Sequence, residues 1–423
     1  MPETDAVGLT LTGASPQAAA DYRQAVSLYH SLYGAPLPLL ERAIADSPGF
    51  VMAHVLKADM LLVGTSPDVA AMGAAAVDAA RDLTATDRER GHVAAAVQMA
   101  AGQFTAAGRI LEDVSIAHPL DGVALQSGQL MDFMLGDSRM LRDRITRALP
   151  AWSTQTPDYH AILGMLAFGL EETGLYDRAE AAGREAIALE PRNAWAQHAV
   201  AHVLEMQDRR ADGITWMRTE NPAWQKDSLF GVHNWWHLAL FHLGLGETEE
   251  AMAIYDGPIT GDGSDMAFDL LDAAALLWRL KLEGAATQDR FVKLADAYEG
   301  KGGLGLSAFD DAHAMMALVG AGRDSAARDL MASLEAAAAG AGDNAMMTND
   351  VGLPVARALV AFGQNRFADA ADDLRTVRSR AHRFGGSHAQ RDVIDLTLIA
   401  AARASGETSL ERALIAERVA ARP

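Results

Sequence analysis

A helix–turn–helix phrase recurs along the chain at a nearly constant spacing, and this repeat limits the fold more than any other feature. In each copy a turn residue is followed by an amphipathic segment that contains alanine. The turn residues are Gly102, Gly136, Gly174, Asp208, Gly246, Gly284, Gly322, Asn365 and Gly406. Successive turns lie 34, 38, 34, 38, 38, 38, 43 and 41 residues apart. A period of about 34 residues with a glycine turn between two helices is the signature of tetratricopeptide repeats.

The residue types agree with an all-helical array. Alanine, leucine, glutamate and arginine are frequent, and the alternation typical of strands is nearly absent, which favours helices. We therefore predict an all-α fold, a tetratricopeptide-like superhelix of antiparallel helix pairs with a period of 34 to 43 residues. The array is predicted to run as one continuous solenoid over residues 21–423, after an N-terminal segment, residues 1–20, with little structure.

Composition excludes several functional classes. Lysine and arginine number 36 against 56 aspartates and glutamates, a net charge of −20 that argues against nucleic acid or an anionic membrane as a partner. There is no cysteine, so a metal site must use histidine, carboxylate or backbone oxygen ligands. The N-terminus does not resemble a signal peptide, and no apolar run approaches the roughly 20 residues that cross a bilayer. We expect a cytoplasmic protein.

The middle third of the chain carries histidines and tryptophans at helical spacing. The first helix of a tetratricopeptide unit lines the concave surface, and its inward positions fall about 13, 10, 6 and 3 residues before the turn. Counting back from each turn predicts a concave pocket over residues 160–320, because apolar walls with a few convergent polar groups are typical of small-molecule sites. Its predicted lining is Phe168, Glu171, His198, His202, Glu205, His233, Trp236 and Trp278, with His237 and His313 at the edge of the same face.

Two histidine pairs in this region have the same spacing. His198 and His202 are four residues apart, as are His233 and His237, so that each pair lies on one helix face and could share a metal. Zinc, iron or nickel fits such ligands, and Glu205 could add a ligand or orient an imidazole. The spacing alone is weak evidence. A hydrogen-bonded histidine–glutamate network without metal, and structural histidines buried in the core, stay open as alternatives.

A second candidate for ligand binding lies near the C-terminus, in the phrase "HRFGGSHAQRDV". Its glycine bend and Ser387 predict a capped helix start, and such a start with Arg391 nearby could bind an anion. The alternative is a capped helix in which Arg391 and Asp392 pair locally.

Several longer phrases resemble one known family. They are "LGMLAFGLEETGLYDRAE", "AWAQHAVAHVLEM", "HNWWHLALFHLGLGETEEAMAIYD", "LDAAALLWRL", "FDDAHAMMALVGAGR" and "GGSHAQRDVIDLTLIAA". Through them the chain resembles the tetratricopeptide repeat protein 38 family from about Gly34 to the C-terminus. The resemblance implies an α-helical repeat protein and carries over no catalytic residue. The ending "LERALIAERVAARP" is also similar to that of the family, so we expect the chain to be complete.

Two functions fit these features. The first is a binding module that captures a small molecule or a short peptide in the pocket, because helical repeat arrays commonly act by binding. The second is an enzyme, a hydrolase or lyase that depends on a metal or on histidine–glutamate acid–base chemistry. Its tentative catalytic residues are His198, His202, Glu205 and His233. Neither function requires nucleic acid or a membrane, and both leave homo-oligomerisation open.

Overall fold

The computed structural model describes residues 2–218, 223–225, 227–301 and 304–421. Across these residues the chain is helical, and extended pairing is limited to two isolated bridges, Thr4 with Thr10 and Tyr33 with Ser228. No helix within these ranges is long and apolar enough to span a membrane. The predicted all-α class is confirmed.

The helices follow one another with short connections. The α-helices are α1 (Pro16–Ser31), α2 (Pro36–Asp46), α3 (Val51–Leu62), α4 (Pro67–Ala80), α5 (Asp87–Ala100), α6 (Phe104–Ala117), α7 (Gly122–Met134), α8 (Ser138–Ala148), α9 (Tyr159–Glu171), α10 (Tyr176–Leu189), α11 (Ala194–Met206), α12 (Arg210–Met217), α13 (Gly231–Gly244), α14 (Thr248–Ile254), α15 (Ala267–Leu282), α16 (Gln288–Lys301), α17 (Ala308–Ala321), α18 (Asp324–Ala338), α19 (Asp343–Met347), α20 (Leu353–Gly363), α21 (Phe367–Val377), α22 (His388–Ala404) and α23 (Thr408–Ala420). The 3₁₀ helices are Leu149–Ala151, Ala223–Gln225 and Arg378–Phe384, and the π-helical turns are Tyr255–Ile259 and Thr348–Gly352.

All nine predicted turn residues adopt the same left-handed backbone conformation. Their φ angles run from 57° at Asp208 to 83° at Gly284. In each turn the N–H of the turn residue donates to the carbonyl three residues earlier, and the next N–H donates to the carbonyl five residues before it. At Gly174 these bonds reach Glu171 at 2.8 Å and, from Leu175, Leu170 at 2.9 Å. The second bond defines a Schellman motif, which ends one helix and redirects the chain into the next. The helical repeat and its register are therefore confirmed.

Contacts between Cα atoms divide the chain into two compact units. The first is Met1–Val203 with Glu220–Gly231, and the second is Leu204–Thr219 with Val232–Pro423. In the first unit each helix from α1 to α10 packs on the next one, as expected of antiparallel pairs with short connections. In the second unit α15 to α18 and α20 to α23 pack in the same way. The helical array begins at Pro16, before residue 21, and the single continuous solenoid stays a prediction.

Small residues allow the helices of the first unit to approach closely around α10. Ala179, the small residue five positions after the turn Gly174, is fully buried. One turn further along α10, a Cβ added to Gly183 would lie 2.5 Å from the side chain of Val200. Close packing of α10 against α11 requires this glycine, because a methyl group there would push the two helices apart. The contact fixes the helix that carries His198 and His202.

Candidate functional site

The first unit holds an aromatic cluster around the histidines of α11. The rings of His198 and His202 meet edge to face with centroids 4.3 Å apart, so both imidazoles lie on one helix face, as the spacing predicts. Phe168 of α9 contacts both, at 5.4 Å and 5.5 Å. Trp195 and Phe230 complete the cluster. His198 is 3% exposed and His202 is fully buried, so neither imidazole faces open solvent.

Two adjacent glutamates at the end of α9 lie beside these imidazoles. Nδ1 of His202 is 3.5 Å from Oε2 of Glu171. One ligand atom each from Glu171, Glu172 and His202 lie within 4.8 Å of one another, and all three side chains are buried. Ser138 donates to Glu172 at 3.4 Å. Three converging nitrogen and oxygen atoms form a donor set suited to a divalent transition metal. Glu171 belongs to the predicted lining, whereas sequence reasoning missed Glu172, whose signal was the acidic pair before Gly174.

In the second unit the histidines of α13 contact a carboxylate of α15. The rings of His233 and His237 are 4.9 Å apart, and His233 stacks on Trp236 at 5.3 Å with an interplanar angle of 12°. Nδ1 of His233 lies 2.9 Å from both carboxylate oxygens of Asp272, which is fully buried. Burial raises the pKa of Asp272, and the charge and hydrogen bond of His233 act in the opposite direction. A carboxylate in this position fixes the tautomer and orientation of the imidazole.

The indole ring of Trp236 also contacts a positively charged side chain. The guanidinium of Arg279 lies over its ring, 5.3 Å from the centroid. Glu205, a predicted catalytic residue, is half-buried in the last turn of α11 and belongs to the second unit. Its negative charge helps to hold the pKa of Arg279 up against the opposite effect of burial. Sequence reasoning did not identify Arg279, because it lies five residues before the turn Gly284 and so outside the inward positions used to predict the pocket.

Three further predicted ligand-binding residues have partners of their own in the second unit. The indole N–H of Trp278 donates to Oγ1 of Thr397 at 3.0 Å. Nδ1 of His313 lies 2.8 Å from the carbonyl of Phe309, and burial lowers the pKa of His313 to about 4, so its imidazole is neutral at neutral pH. The guanidinium of Arg391 donates to the carbonyls of the glycine bend before α22. Their roles as ligand-binding residues stay predictions.

The capped helix start before α22 is present. Oγ of Ser387 accepts a hydrogen bond from the backbone N–H of Gln390. In turn, the backbone N–H of Ser387 donates to Oε1 of Gln390. The carboxylate of Asp392 accepts hydrogen bonds from Arg418 of α23, and the local pairing of Arg391 with Asp392 stays a prediction. The contact between Asp392 and Arg418 joins α22 to α23.

Comparison with known proteins adds little to this geometry. No protein-family model matches the chain. Among solved structures the chain is similar to the TPR domain of P58(IPK), with 15% sequence identity over 85% of this chain and 99% of that chain, at a TM-score of 0.20. A TM-score of 0.20 is too low to assign a fold by similarity. The assignment of a helical repeat rests on the nine turns. The resemblance to the tetratricopeptide repeat protein 38 family stays a prediction.

Proposed function

We propose that this helical repeat protein binds a small molecule or the end of a short peptide at the buried histidines of its middle repeats, with a divalent metal ion as part of the site. The convergence of Glu171, Glu172 and His202 carries the proposal. Two neighbouring carboxylates are costly to bury, because each loses its hydration and the two repel each other. A divalent cation between them would offset both effects.

The donor set narrows the identity of the ion. With no cysteine in the chain, zinc, iron or nickel would be held by imidazole nitrogen and carboxylate oxygen. His198 is the other histidine of α11, and it lies one turn from His202 on the same helix face. It is therefore a candidate for a further ligand. The participation of His233 and His237 as ligands of the same ion stays a prediction.

A second function, that of a hydrolase or lyase, is favoured by the contact between His233 and Asp272. An ionised Asp272 keeps the proton of His233 on Nδ1, so that Nε2 is the nitrogen able to accept a proton as a general base. His198, His202 and Glu205 are the other proposed catalytic residues. A bound ion would polarise a carbonyl or lower the pKa of a water molecule.

Metal content tests the ion. The purified protein is loaded in turn with zinc, ferrous iron and nickel, dialysed, and measured by inductively coupled plasma mass spectrometry. We expect near-stoichiometric metal in the wild type, and a loss of at least about tenfold in affinity in Glu171→Gln and His202→Ala. The control variants Glu180→Gln and His118→Ala remove the same groups from outside the cluster and should keep the metal. A wild type that retains no metal, or site variants that retain all of it, would exclude the ion.

A substrate panel separates the binding module from the enzyme. The metal-loaded protein is assayed with activated esters, amides and phosphoesters. Turnover that falls at least about a hundredfold in His233→Ala would support the enzyme, since loss of a general base costs about 10²–10⁴ in rate. The enzyme would be excluded if the protein turned over none of these substrates and bound a ligand with an affinity that His198→Ala leaves unchanged.

A further inference from the structure

Three arginines in the described part of the chain are buried, and they differ in their partners. Arg88 lies 2.8 Å from the carboxylate of Asp121. Arg144 bonds both carboxylate oxygens of Asp132, at 2.7 Å and 2.8 Å. Arg279 is 3% exposed, and among the described residues no carboxylate lies within ion-pair distance of its guanidinium. Arg279 is therefore the exception among these three buried arginines.

The groups in direct contact with the guanidinium of Arg279 are neutral. It donates to the carbonyl of Ala275 at 3.0 Å, within its own helix, and to the carbonyls of Ala389 and Gln390 at 2.7 Å and 3.4 Å. The last two belong to the first turn of α22. The ring of Trp236 covers one side of the guanidinium at 5.3 Å. These contacts orient the guanidinium, but they do not neutralise its charge.

Burial of this charge affects the pKa of Arg279. Burial lowers the pKa of Arg279 to about 10, while the charges of Asp392 and Glu205 act to raise it. Arg279 therefore stays positive at neutral pH. The carboxylate of Asp392 is already bonded to Arg418, so the first of these negative charges is shared with another arginine. Leaving a buried charge without a direct partner of opposite charge costs free energy.

We propose that Arg279 recognises an oxyanion, a carboxylate or phosphate group of the ligand. The inference rests on the proposed function and adds the chemical class of the ligand. The planar guanidinium suits bidentate bonds to such groups, and the face of Trp236 holds it in a fixed plane. An oxyanion would supply the negative partner that Arg88 and Arg144 find within the chain.

Oxyanion-dependent stabilisation tests the proposal, because a ligand that binds the native state raises the midpoint of thermal unfolding. The purified protein is titrated with sodium acetate, sodium phosphate, and tetraalanine with a free or an amidated C-terminus, each against sodium chloride at equal ionic strength. The variants are Arg279→Met and Arg279→Lys. The control is Arg290→Met, which removes the same charge from an exposed pair with Asp256 in the same unit.

We expect a saturable rise in the midpoint with at least one oxyanion probe, and none with the amidated peptide. The apparent Kd should weaken at least about tenfold in Arg279→Met and at least about threefold in Arg279→Lys, which keeps the charge without the bidentate geometry. If Arg279→Met does not fold, Arg279→Lys decides. A response to the free-acid peptide alone assigns the oxyanion to a peptide end, and a response to acetate or phosphate assigns it to a small molecule.

Two results would overturn the role of Arg279. One is a wild type with no saturable rise for any oxyanion probe, and the other is a rise that persists unchanged in both variants. Metal content measured on the same samples separates this proposal from the metal ion. A metal-bound protein without the oxyanion response refutes only Arg279, and a metal-free protein with an Arg279-dependent response refutes only the ion.

Discussion

Nδ1 of His233 lies 2.9 Å from both carboxylate oxygens of Asp272, in a part of the second unit where His233 is 2% exposed and Asp272 is fully buried. The two residues are 39 positions apart and belong to the first helices of neighbouring pairs. A buried imidazole and a buried carboxylate satisfy each other there. Either one alone would leave a desolvated polar group without its partner.

Removal of Asp272 should therefore destabilise the protein. We expect Asp272→Ala to lower the free energy of unfolding by about 1–3 kcal/mol, the cost of an unsatisfied buried donor. Asp272→Asn should lose less, because its amide oxygen still accepts a hydrogen bond. Urea unfolding followed by circular dichroism measures both. Asp262→Ala, an exposed aspartate of the same unit, is the control and should stay within about 0.5 kcal/mol of wild type. A loss as small in Asp272→Ala as in the control would contradict the prediction.

Helical spacing predicted the histidines of the site and Glu171, but not which carboxylate contacts which imidazole. The four-residue spacing places His198 with His202, and His233 with His237, because two residues one turn apart share a helix face. The partners come from other helices. Glu171 reaches His202 from α9, and no local pattern states which carboxylate of a neighbouring helix will meet which imidazole. Periodicity indicates the face of a helix and not the depth at which that face is buried.

The shared left-handed turn makes a second prediction. Gly174 has φ of 74° and no neighbouring atom where a Cβ would lie, so a side chain there meets only backbone strain. We expect Gly174→Ala to destabilise by about 1–2 kcal/mol, and Gly174→Asn by less, since asparagine tolerates this conformation. Conversely, Asn365→Gly should leave the free energy of unfolding unchanged or raise it, because Asn365 has a φ of 61°, which glycine adopts without strain. Chemical denaturation of the three variants checks the order, and equal effects of alanine and asparagine would contradict it.

The turns also show why the fold was accessible from the sequence. A left-handed residue is required once per helix pair, and glycine, asparagine and aspartate are the residues that adopt this conformation most readily. Seven of the nine turn positions are glycine, and the others are Asp208 and Asn365. The first two helix pairs lack this marker in a regular form. Between α3 and α4, Gly64 is not left-handed, so this turn departs from the pattern of the later ones.

The ion pair between Arg144 and Asp132 makes a third prediction. Both side chains are almost fully buried, and the guanidinium also donates to the carbonyl of Gly108 at 3.1 Å. We expect Arg144→Met to lower the free energy of unfolding by about 3–5 kcal/mol, because it leaves a buried carboxylate unpaired. The double variant Asp132→Leu with Arg144→Met should recover most of that loss, since both charges are then absent. Urea unfolding of the single and double variants measures the recovery. A double variant no more stable than the single one would refute it.

Asp59 of α3 is a buried acid whose protonation should be coupled to folding. Ser127 donates to its carboxylate at 2.7 Å. Burial raises the pKa of Asp59 to about 6, against the lowering effects of His92 and Ser127. The folded protein thus binds this proton more tightly than the unfolded chain, in which the pKa is near 3.8. The resulting stabilisation is complete below pH 3.8 and is lost as the pH rises through about 6.

Asp59→Asn removes this dependence. The free energy of unfolding of the variant, minus that of wild type, should rise between pH 4 and pH 6 and then level off, by about 3 kcal/mol at about 1.4 kcal/mol per pKa unit. Asp121→Asn is the comparison variant, because the pKa of Asp121 is shifted in the opposite direction. Burial acts to raise the pKa of Asp121, but the charges of His92 and Arg88 hold it well below its usual range, so that its stabilisation exists above pH 3.8 and is lost as the pH falls. The free energy of unfolding of Asp121→Asn should be lower than that of wild type above pH 3.8, and this difference should become smaller as the pH falls below 3.8. Urea unfolding measures the difference for Asp59→Asn from pH 4 to pH 8, and the difference for Asp121→Asn from about pH 2 to pH 5, where the carboxyl of the unfolded chain titrates. A flat profile for Asp59→Asn would show that Asp59 is ionised in the folded protein from pH 4 to pH 8.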